Sequence, residues 1–550
     1  YATGGPAGMY MTSVYPESQT GASGIAFEAG VRGVNLTESQ YGLASVKFRW
    51  NLSGTYQQVL PRYVSTEPDG SDEKEFLEEY FPNPGTMLDA IFLKGYQWPF
   101  DPRKVENYGS SLIDILVYNE AQIKGRKVFL DYTKNPVWGS KNGALDFSSL
   151  GEEAYKYLVN SNALFGSPIQ RLEKMNRPAI ELYKSNGIDL SKEYLEINVC
   201  AQHNNGGLIG NIWWESNIKH FFPVGEVNGT FGVYRPGGSA LNSTQTGSLR
   251  AAQYIAANYG SAPMLPENFT IIVKEQVGKK INLARRIITN SIVVQNSVPN
   301  SISSSSTNFN LKLNSRLELE RLELNTSSRS NSTSNSSLSS NVMEIRKRMQ
   351  ERMSRCGAHI RSYINVVNAV DESKKEMLNL VDNIRISSLQ ELPEAFRNRD
   401  IAITQYVYLN AIKEYIEKGG KSRGSYLVQH DGSGNDNDSG SDNGSGSASG
   451  SAGGSGSASA STSGRNCCKE HYNNGRLPVE TLPEIFRFSL DDGELSNMVN
   501  EIGLKIQENQ AEEGFNIVSE WKSVRPIPDN ENDNWFENVW MEYRENTVFK

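Results

Sequence analysis

The chain has 550 residues, of which 37% are hydrophobic and 10% aromatic, enough for about two to four domains with a large buried core. A formal net charge of -8 argues against nucleic acid as a partner, because phosphate binding needs a basic surface. The sequence has no run of about 18 apolar residues, so we expect no transmembrane segment.

The four cysteines are Cys200, Cys356, Cys467 and Cys468. They form no CxxC pair and show no His/Cys ligand spacing, so the sequence predicts no metal site and no disulfide scaffold. We expect the adjacent Cys467 and Cys468 to be free thiols in a reducing compartment. No secretory signal is visible at Tyr1, and the predicted location is cytoplasmic.

The chain divides by composition into glycine-rich, helical and polar parts. Residues 1–60 and 195–294 are predicted to be the two parts of one domain, rich in glycine where backbone approaches a ligand. Residues 61–194 are predicted to form an inserted domain, with a helix over 110–120 and a turn followed by a short strand within 125–131. Residues 342–430 carry long amphipathic patterns typical of a helical domain.

Two polar tracts separate these parts. Residues 295–341 are rich in serine and asparagine and are predicted to be an insertion in a surface loop. Residues 431–466 are almost entirely small and polar, which predicts a disordered linker, because they offer too little apolar surface to offset the ordering entropy. The remaining region, 467–550, ends in an aromatic segment around Trp535 and Trp540 that could pack on a larger body.

The stretch from Ala201 to Ala252 carries the pattern that says most about ligand binding. We predict a strand that ends at Gly225 and Glu226, a glycine-rich loop, and a helix that begins near Ser239. A helix N-terminus offers free N–H groups and partial positive charge, and a carboxylate at a strand end suits ribose hydroxyls. Arg235 can present a planar fork of donors to a carboxylate.

In order along the chain, these motifs resemble the succinate dehydrogenase/fumarate reductase flavoproteins, a family that includes L-aspartate oxidase. The segments that carry the resemblance are Ala2-Thr3-Gly4-Gly5, Thr20-Gly21-Ala22-Ser23-Gly24, Gly225-Glu226, Arg235-Pro236-Gly237-Gly238-Ser239-Ala240-Leu241, and Ser422-Arg423-Gly424. The resemblance implies an α/β fold with a Rossmann-like FAD-binding domain, an inserted capping domain and a C-terminal helical domain.

The resemblance also implies roles for individual residues. FAD would contact Glu226 and the backbone at Ala240 and Leu241, and Thr3, Gly4 and Gly5 would let the chain pass close to it. Arg235 would bind the carboxylate of a small substrate, and Arg103 of the capping domain would transfer a proton. An iron–sulfur or other electron-transfer partner would be expected.

Several positions depart from the family pattern. His203 lies one residue closer to Gly206-Gly207 than the family histidine does, so Gln202 is placed in the substrate-facing position. The family's GxGxxG motif would lie upstream of Ala2, so we expect a chain that lacks this part of its FAD site. Two alternatives stay open, an amino-acid oxidase of the L-aspartate oxidase type and a non-catalytic truncated remnant.

Overall fold

The computed structural model describes residues 1–260, 264–297, 340–429, 488–491, 495, 498–509, 512–523, 535–545 and 547. Most of the serine- and asparagine-rich insertion, the predicted linker, and Cys467 with Cys468 lie outside these residues. Cys200 and Cys356 are buried and are not in disulfide bonds. None of the described helices is long and apolar enough to cross a membrane.

The described strands are mostly short, and β9, β13 and β14 are the long ones. They are β1 (Gly33–Val34), β2 (Ser39–Ser45), β3 (Trp50–Asn51), β4 (Arg62–Thr66), β5 (Lys74–Glu75), β6 (Lys127–Asp131), β7 (Ser140–Lys141), β8 (Ala144–Leu145), β9 (Leu195–Asn204), β10 (Gly207–Leu208), β11 (Ile360–Arg361), β12 (Leu427–Val428), β13 (Met498–Asn509) and β14 (Glu512–Ser523).

The described helices cluster in the inserted segment and after residue 239. They are α1 (Ser23–Glu28), α2 (Thr55–Gln58), α3 (Pro84–Leu93), α4 (Ser111–Tyr118), α5 (Glu152–Asn160), α6 (Pro168–Ser185), α7 (Ser239–Asn258), α8 (Pro266–Ser297), α9 (Val342–Cys356), α10 (Tyr363–Asn383), α11 (Leu392–Glu417) and α12 (Trp535–Arg544). The helix predicted over 110–120, the strand over 125–131 and the helices after residue 342 are confirmed.

The largest sheet has six strands in the order β3-β2-β9-β6-β4-β5, and its ladders are antiparallel. It runs across both predicted ends of the capping segment, since β2 comes from residues 1–60, β4 to β6 from 61–194, and β9 from the stretch after residue 194. The domain boundaries stay predictions. What the sheet establishes is that the two glycine-rich parts of the chain meet at β2 and β9.

A second sheet has the order β10-β1-β13-β14. Its β13–β14 hairpin pairs with β1, so the C-terminal part of the chain packs beside residues 33 and 34. The helical part is built around α11, which is buried along most of its length and packs on α9, α10 and α1. Its first turn carries Pro393, a position where the missing backbone N–H costs no hydrogen bond.

Candidate functional site

The glycine turn at the start of the chain closes against the loop that carries Glu226. Gly4 has φ of +71°, a left-handed conformation that side chains disfavour. A Cβ atom on Gly5 would lie 2.4 Å from Oε1 of Glu226 and 2.7 Å from the Asn204 side chain. The turn therefore needs glycine at both positions to bring its backbone up to the carboxylate.

Glu226 is held by two groups from other parts of the chain. Its Oε1 accepts a hydrogen bond from the backbone N–H of Asn204 at 2.8 Å, and its Oε2 accepts one from the hydroxyl of Tyr15. Burial raises the pKa of Tyr15, and the neighbouring charge of Glu226 raises it further, so Tyr15 stays a proton donor. The prediction of a strand that ends at Gly225 and Glu226 is wrong, because Gly225–Val227 is a 3-10 turn.

The double glycine before this turn is required by packing. A Cβ atom on Gly206 would lie 1.8 Å from the backbone oxygen of Asn35, and one on Gly207 would lie 2.3 Å from that of Val227. Gly207 thus allows β10 to lie directly against the residue after Glu226.

The predicted helix near Ser239 is confirmed as α7. Gly238 precedes it with φ of +79°, and Ala240 and Leu241 lie in its first turn. The helix packs on the turn of Glu226 through Thr244, whose methyl group lies 3.7 Å from the Cβ position of Gly225. The side chain of Leu241 is 69% exposed, so a contact with FAD would come from its backbone rather than from its side chain.

Arg235 is half-buried and forms hydrogen bonds to Gln40 of β2, a partner that the sequence did not indicate. The Gln40 Oε1 accepts from Arg235 Nε at 2.9 Å and from Nη2 at 2.5 Å. Burial lowers the pKa of Arg235, and the negative charge of Glu226 offsets only part of this effect. Because Gln40 is neutral, it orients the guanidinium without cancelling its charge.

His203 and Gln202 lie next to each other on β9 but have different surroundings. The imidazole Nδ1 of His203 is 3.0 Å from the side-chain oxygen of Asn205, and its ring packs edge-on against Phe231 at 4.7 Å. Burial lowers the pKa of His203, and the charge of Arg235 lowers it further. Gln202 donates to the backbone oxygen of Gly42 at 3.0 Å, so its amide is engaged within the sheet.

Arg103 reaches the same loop from the capping segment. Asp101 accepts two hydrogen bonds from its guanidinium, at 3.0 Å from Nε and 2.8 Å from Nη2. The guanidinium carbon also lies 3.9 Å from the ring centroid of Tyr234, the residue before Arg235. Hydrogen bonding to Asp101 raises the pKa of Arg103, which keeps it protonated.

Three partners of the predicted residues were missed from the sequence. Tyr15 and Gln40 come from segments far along the chain from Glu226 and Arg235, and no local pattern links them. Asp101 had a signal in the sequence, because Asp followed by Pro commonly begins a helical turn, and its side chain does accept from the backbone N–H of Arg103.

The residues around Glu226 and the first glycine turn fit the binding of FAD. The hydroxyl oxygens of Thr3 and Ser23 are buried, and among the described residues that of Ser23 has no hydrogen-bond partner. Thr3 belongs to the glycine-containing turn that approaches the carboxylate of Glu226, a group that suits sugar hydroxyls. Ser23 is the first residue of α1. Arg235 adds a positive charge on the next loop.

Comparison with known proteins gives a consistent result. No family model matches the chain. The flavoprotein family predicted from the motifs is represented by a subunit of the fumarate reductase (CoM/CoB) of Methanothermobacter marburgensis. That protein is 32% identical to this chain over 123 residues, which are 22% of this chain and 19% of the relative.

Two solved structures resemble the fold. The chain superposes on E. coli quinol fumarate reductase FrdA, solved as a mutant, with a TM-score of 0.50 at 14% identity, covering 96% of this chain and 66% of that one. Mycobacterium smegmatis Sdh1 in complex with UQ1 gives a TM-score of 0.47 at 12% identity, covering 98% and 64%. The chain thus spans less than two thirds of each relative.

These findings support the resemblance that the motifs predicted. In sequence the chain resembles part of a fumarate reductase, and in fold it is a mixed α/β protein with a helical part, similar to the flavoprotein of quinol fumarate reductase.

Proposed function

We propose that this chain belongs to an FAD-dependent oxidoreductase of the fumarate reductase/succinate dehydrogenase type, acting on the α,β carbons of a small carboxylate. The observation that carries the proposal is that Arg103 lies over Tyr234, the residue before Arg235, while Arg235 is close enough to Glu226 for the charge of Glu226 to act on it. The similarity to a fumarate reductase over 123 residues supports it.

Thr3, Gly4, Gly5 and Glu226 would hold FAD, with the first turn of α7, which contains Ala240 and Leu241, contributing backbone N–H groups. When bound, FAD supplies the electron pair that the reaction adds to or takes from the substrate. An electron-transfer partner would exchange those electrons with the flavin.

The substrate carboxylate would bind to Arg235, whose charge is retained because its partner Gln40 is neutral. His203 lies close enough to Glu226 and Arg235 for their charges to act on its pKa, and we propose it as a second substrate-binding group, with Gln202 behind it on the sheet. Arg103, kept protonated by Asp101, would deliver the proton to the substrate carbon when the double bond is reduced.

The test is to express the full-length protein, reconstitute it with FAD, and measure flavin absorbance and fumarate reduction with a reduced dye. We expect bound flavin and fumarate-dependent oxidation of the dye. Ammonia release from L-aspartate would assign the chain to the amino-acid oxidase type instead. A protein that folds but retains no flavin would contradict the proposal.

A further inference from the structure

The two arginines of the site are both attached to strand β2. Gln40 accepts two hydrogen bonds from the guanidinium of Arg235, and its Nε2 donates to the backbone oxygen of Arg235 at 3.2 Å. The side chain and the backbone of Arg235 are therefore both fixed by one amide group. A single amide that bonds both parts restricts rotation of the arginine side chain.

The next two residues of β2 hold the segment that leads to Arg103. The backbone N–H of Phe100 donates to the backbone oxygen of Tyr41 at 2.7 Å, and Gly42 forms a bridge with Pro99. A Cβ atom on Gly42 would lie 2.6 Å from the backbone oxygen of Trp98, so this approach requires glycine. The residue after Phe100 is Asp101, which accepts the hydrogen bonds from Arg103.

The chemistry of Gln40 fits a positioning role at an anion site. Its oxygen occupies the edge of the guanidinium formed by Nε and Nη2. Nη1 donates to the backbone oxygen of Pro236 at 3.4 Å and has a second hydrogen for another acceptor. A carboxylate in place of the amide would bond to the same edge and would neutralise the charge that a substrate carboxylate needs.

We propose that Gln40 is a positioning residue, which orients Arg235 toward a substrate carboxylate while preserving its charge. Residues 40–42 of β2 thereby set the spacing between Arg235 and Arg103. This inference rests on the proposed binding of a carboxylate by Arg235.

The first test measures the position of Arg235 without any activity. Phenylglyoxal modifies accessible guanidinium groups, and peptide mass spectrometry gives the rate at Arg235. Freeing the guanidinium in Gln40→Ala should raise that rate about tenfold, because two charge-assisted hydrogen bonds are lost. Ser39→Ala, on the neighbouring position of β2, should leave it unchanged. An unaltered rate in Gln40→Ala overturns the positioning role.

The second test uses Gln40→Glu, which preserves the size of the side chain and should disturb folding less than Gln40→Ala does. Fumarate should slow the modification of Arg235 in the wild-type protein and should give no protection in Gln40→Glu, because the charge is already paired. Equal protection in both proteins overturns the charge argument.

Together, the two tests distinguish a failure of this inference from a failure of the proposed function. If fumarate fails to protect Arg235 in the wild-type protein but Gln40→Ala accelerates its modification, Gln40 still positions Arg235 and the proposed carboxylate binding fails. If fumarate protects and Gln40→Ala has the wild-type rate, the proposed function stands and the role of Gln40 fails.

Discussion

The guanidinium of Arg103 lies over the ring of Tyr234, with 3.9 Å between the guanidinium carbon and the ring centroid. This contact joins the capping segment to the loop that carries Arg235. Because the ring of Tyr234 is 46% exposed, the contact should contribute about 0.5–1 kcal/mol. It is a weak link at a position where two parts of the site meet.

Replacing Tyr234 by leucine should loosen this link. We expect backbone hydrogen exchange over residues 100–110 and 231–238 to become about two- to fivefold faster, as follows from a loss of this size. Tyr234→Phe keeps the ring face and should exchange at nearly the wild-type rate. Equal exchange in Tyr234→Leu and the wild-type protein would show that the contact does not hold the segments together.

Removing the guanidinium of Arg235 should abolish carboxylate binding. In Arg235→Ala we expect fumarate reduction to fall by about 10²–10³-fold, the usual cost of losing a donor that stabilises charge in the reaction. Arg235→Lys should recover only part of this rate, because an ammonium group lacks the planar fork. Flavin absorbance serves as the control and should match that of the wild-type protein.

The approach of the first turn to Glu226 predicts a specific loss of FAD. In Gly5→Ala the new methyl group would meet Oε1 of Glu226 at 2.4 Å, so the carboxylate must move from its position. We expect the flavin content of the purified protein to drop. Gly260→Ala is the matched control, since a Cβ atom there has no atom of the described residues within 4 Å. Undiminished flavin in Gly5→Ala would exclude Glu226 as a ligand of FAD.

Lys94 and Asp114 form an ion pair in the capping segment, and both side chains are fully buried. Burial lowers the pKa of Lys94 and raises that of Asp114 to about 6. Asp114→Asn leaves a buried ammonium group without its counter-charge and should reduce the free energy of unfolding by about 3–5 kcal/mol.

The double variant Lys94→Met/Asp114→Leu should cost far less, because it removes both charges together. Denaturant unfolding of the wild-type protein, Lys94→Met, Asp114→Leu and the double variant completes the cycle. Additive losses would mean that the two groups do not stabilise each other.

The buried His359 should make the stability of the folded protein depend on pH. It is buried between the rings of Phe100 and Tyr118, and burial lowers its pKa to about 3, with the charges of Arg361 and Lys94 adding to the effect. In the unfolded chain a histidine takes up its proton near pH 6.5. The unfolded state therefore binds the proton first as the pH falls, and stability is lost below about pH 6.5.

Between pH 7 and pH 5 this group should cost the folded protein about 2 kcal/mol. His359→Phe removes the titration, so the difference in unfolding free energy between the two proteins should shift by that amount over this pH range. Because other groups titrate equally in both proteins, the difference isolates His359. A difference independent of pH would contradict the assignment.

The sequence predicted those features that depend on local spacing. The helix that starts at Ser239 follows from a glycine loop and a helix-forming run, and the strand over 125–131 follows from its β-branched and aromatic residues. The turn at Gly225 was misjudged, because an apolar run that leads into glycine is compatible with either a strand or a 3-10 turn.

The partners of the site could not be predicted in the same way. Gln40 and Arg235 are separated by 195 positions, and Tyr15 and Glu226 by 211. Their contacts depend on the register of β2 against β9 and on the path of the first turn, neither of which leaves a periodic pattern. The paired residues of β1 and β13 lie even further apart along the chain.

The six-stranded sheet restricts how the capping segment can move. The chain leaves residues 1–60 through β4 and returns through β9, and both pair with β6, Val128 lying opposite Ile197. The capping segment is therefore not joined to the rest of the chain by a flexible linker at either end. It cannot rotate as a rigid body about residues 60 and 195 without breaking main-chain hydrogen bonds. Any opening of the segment has to come from a bending of helices and loops beyond the sheet, while the stretch before Asp101 stays attached to β2.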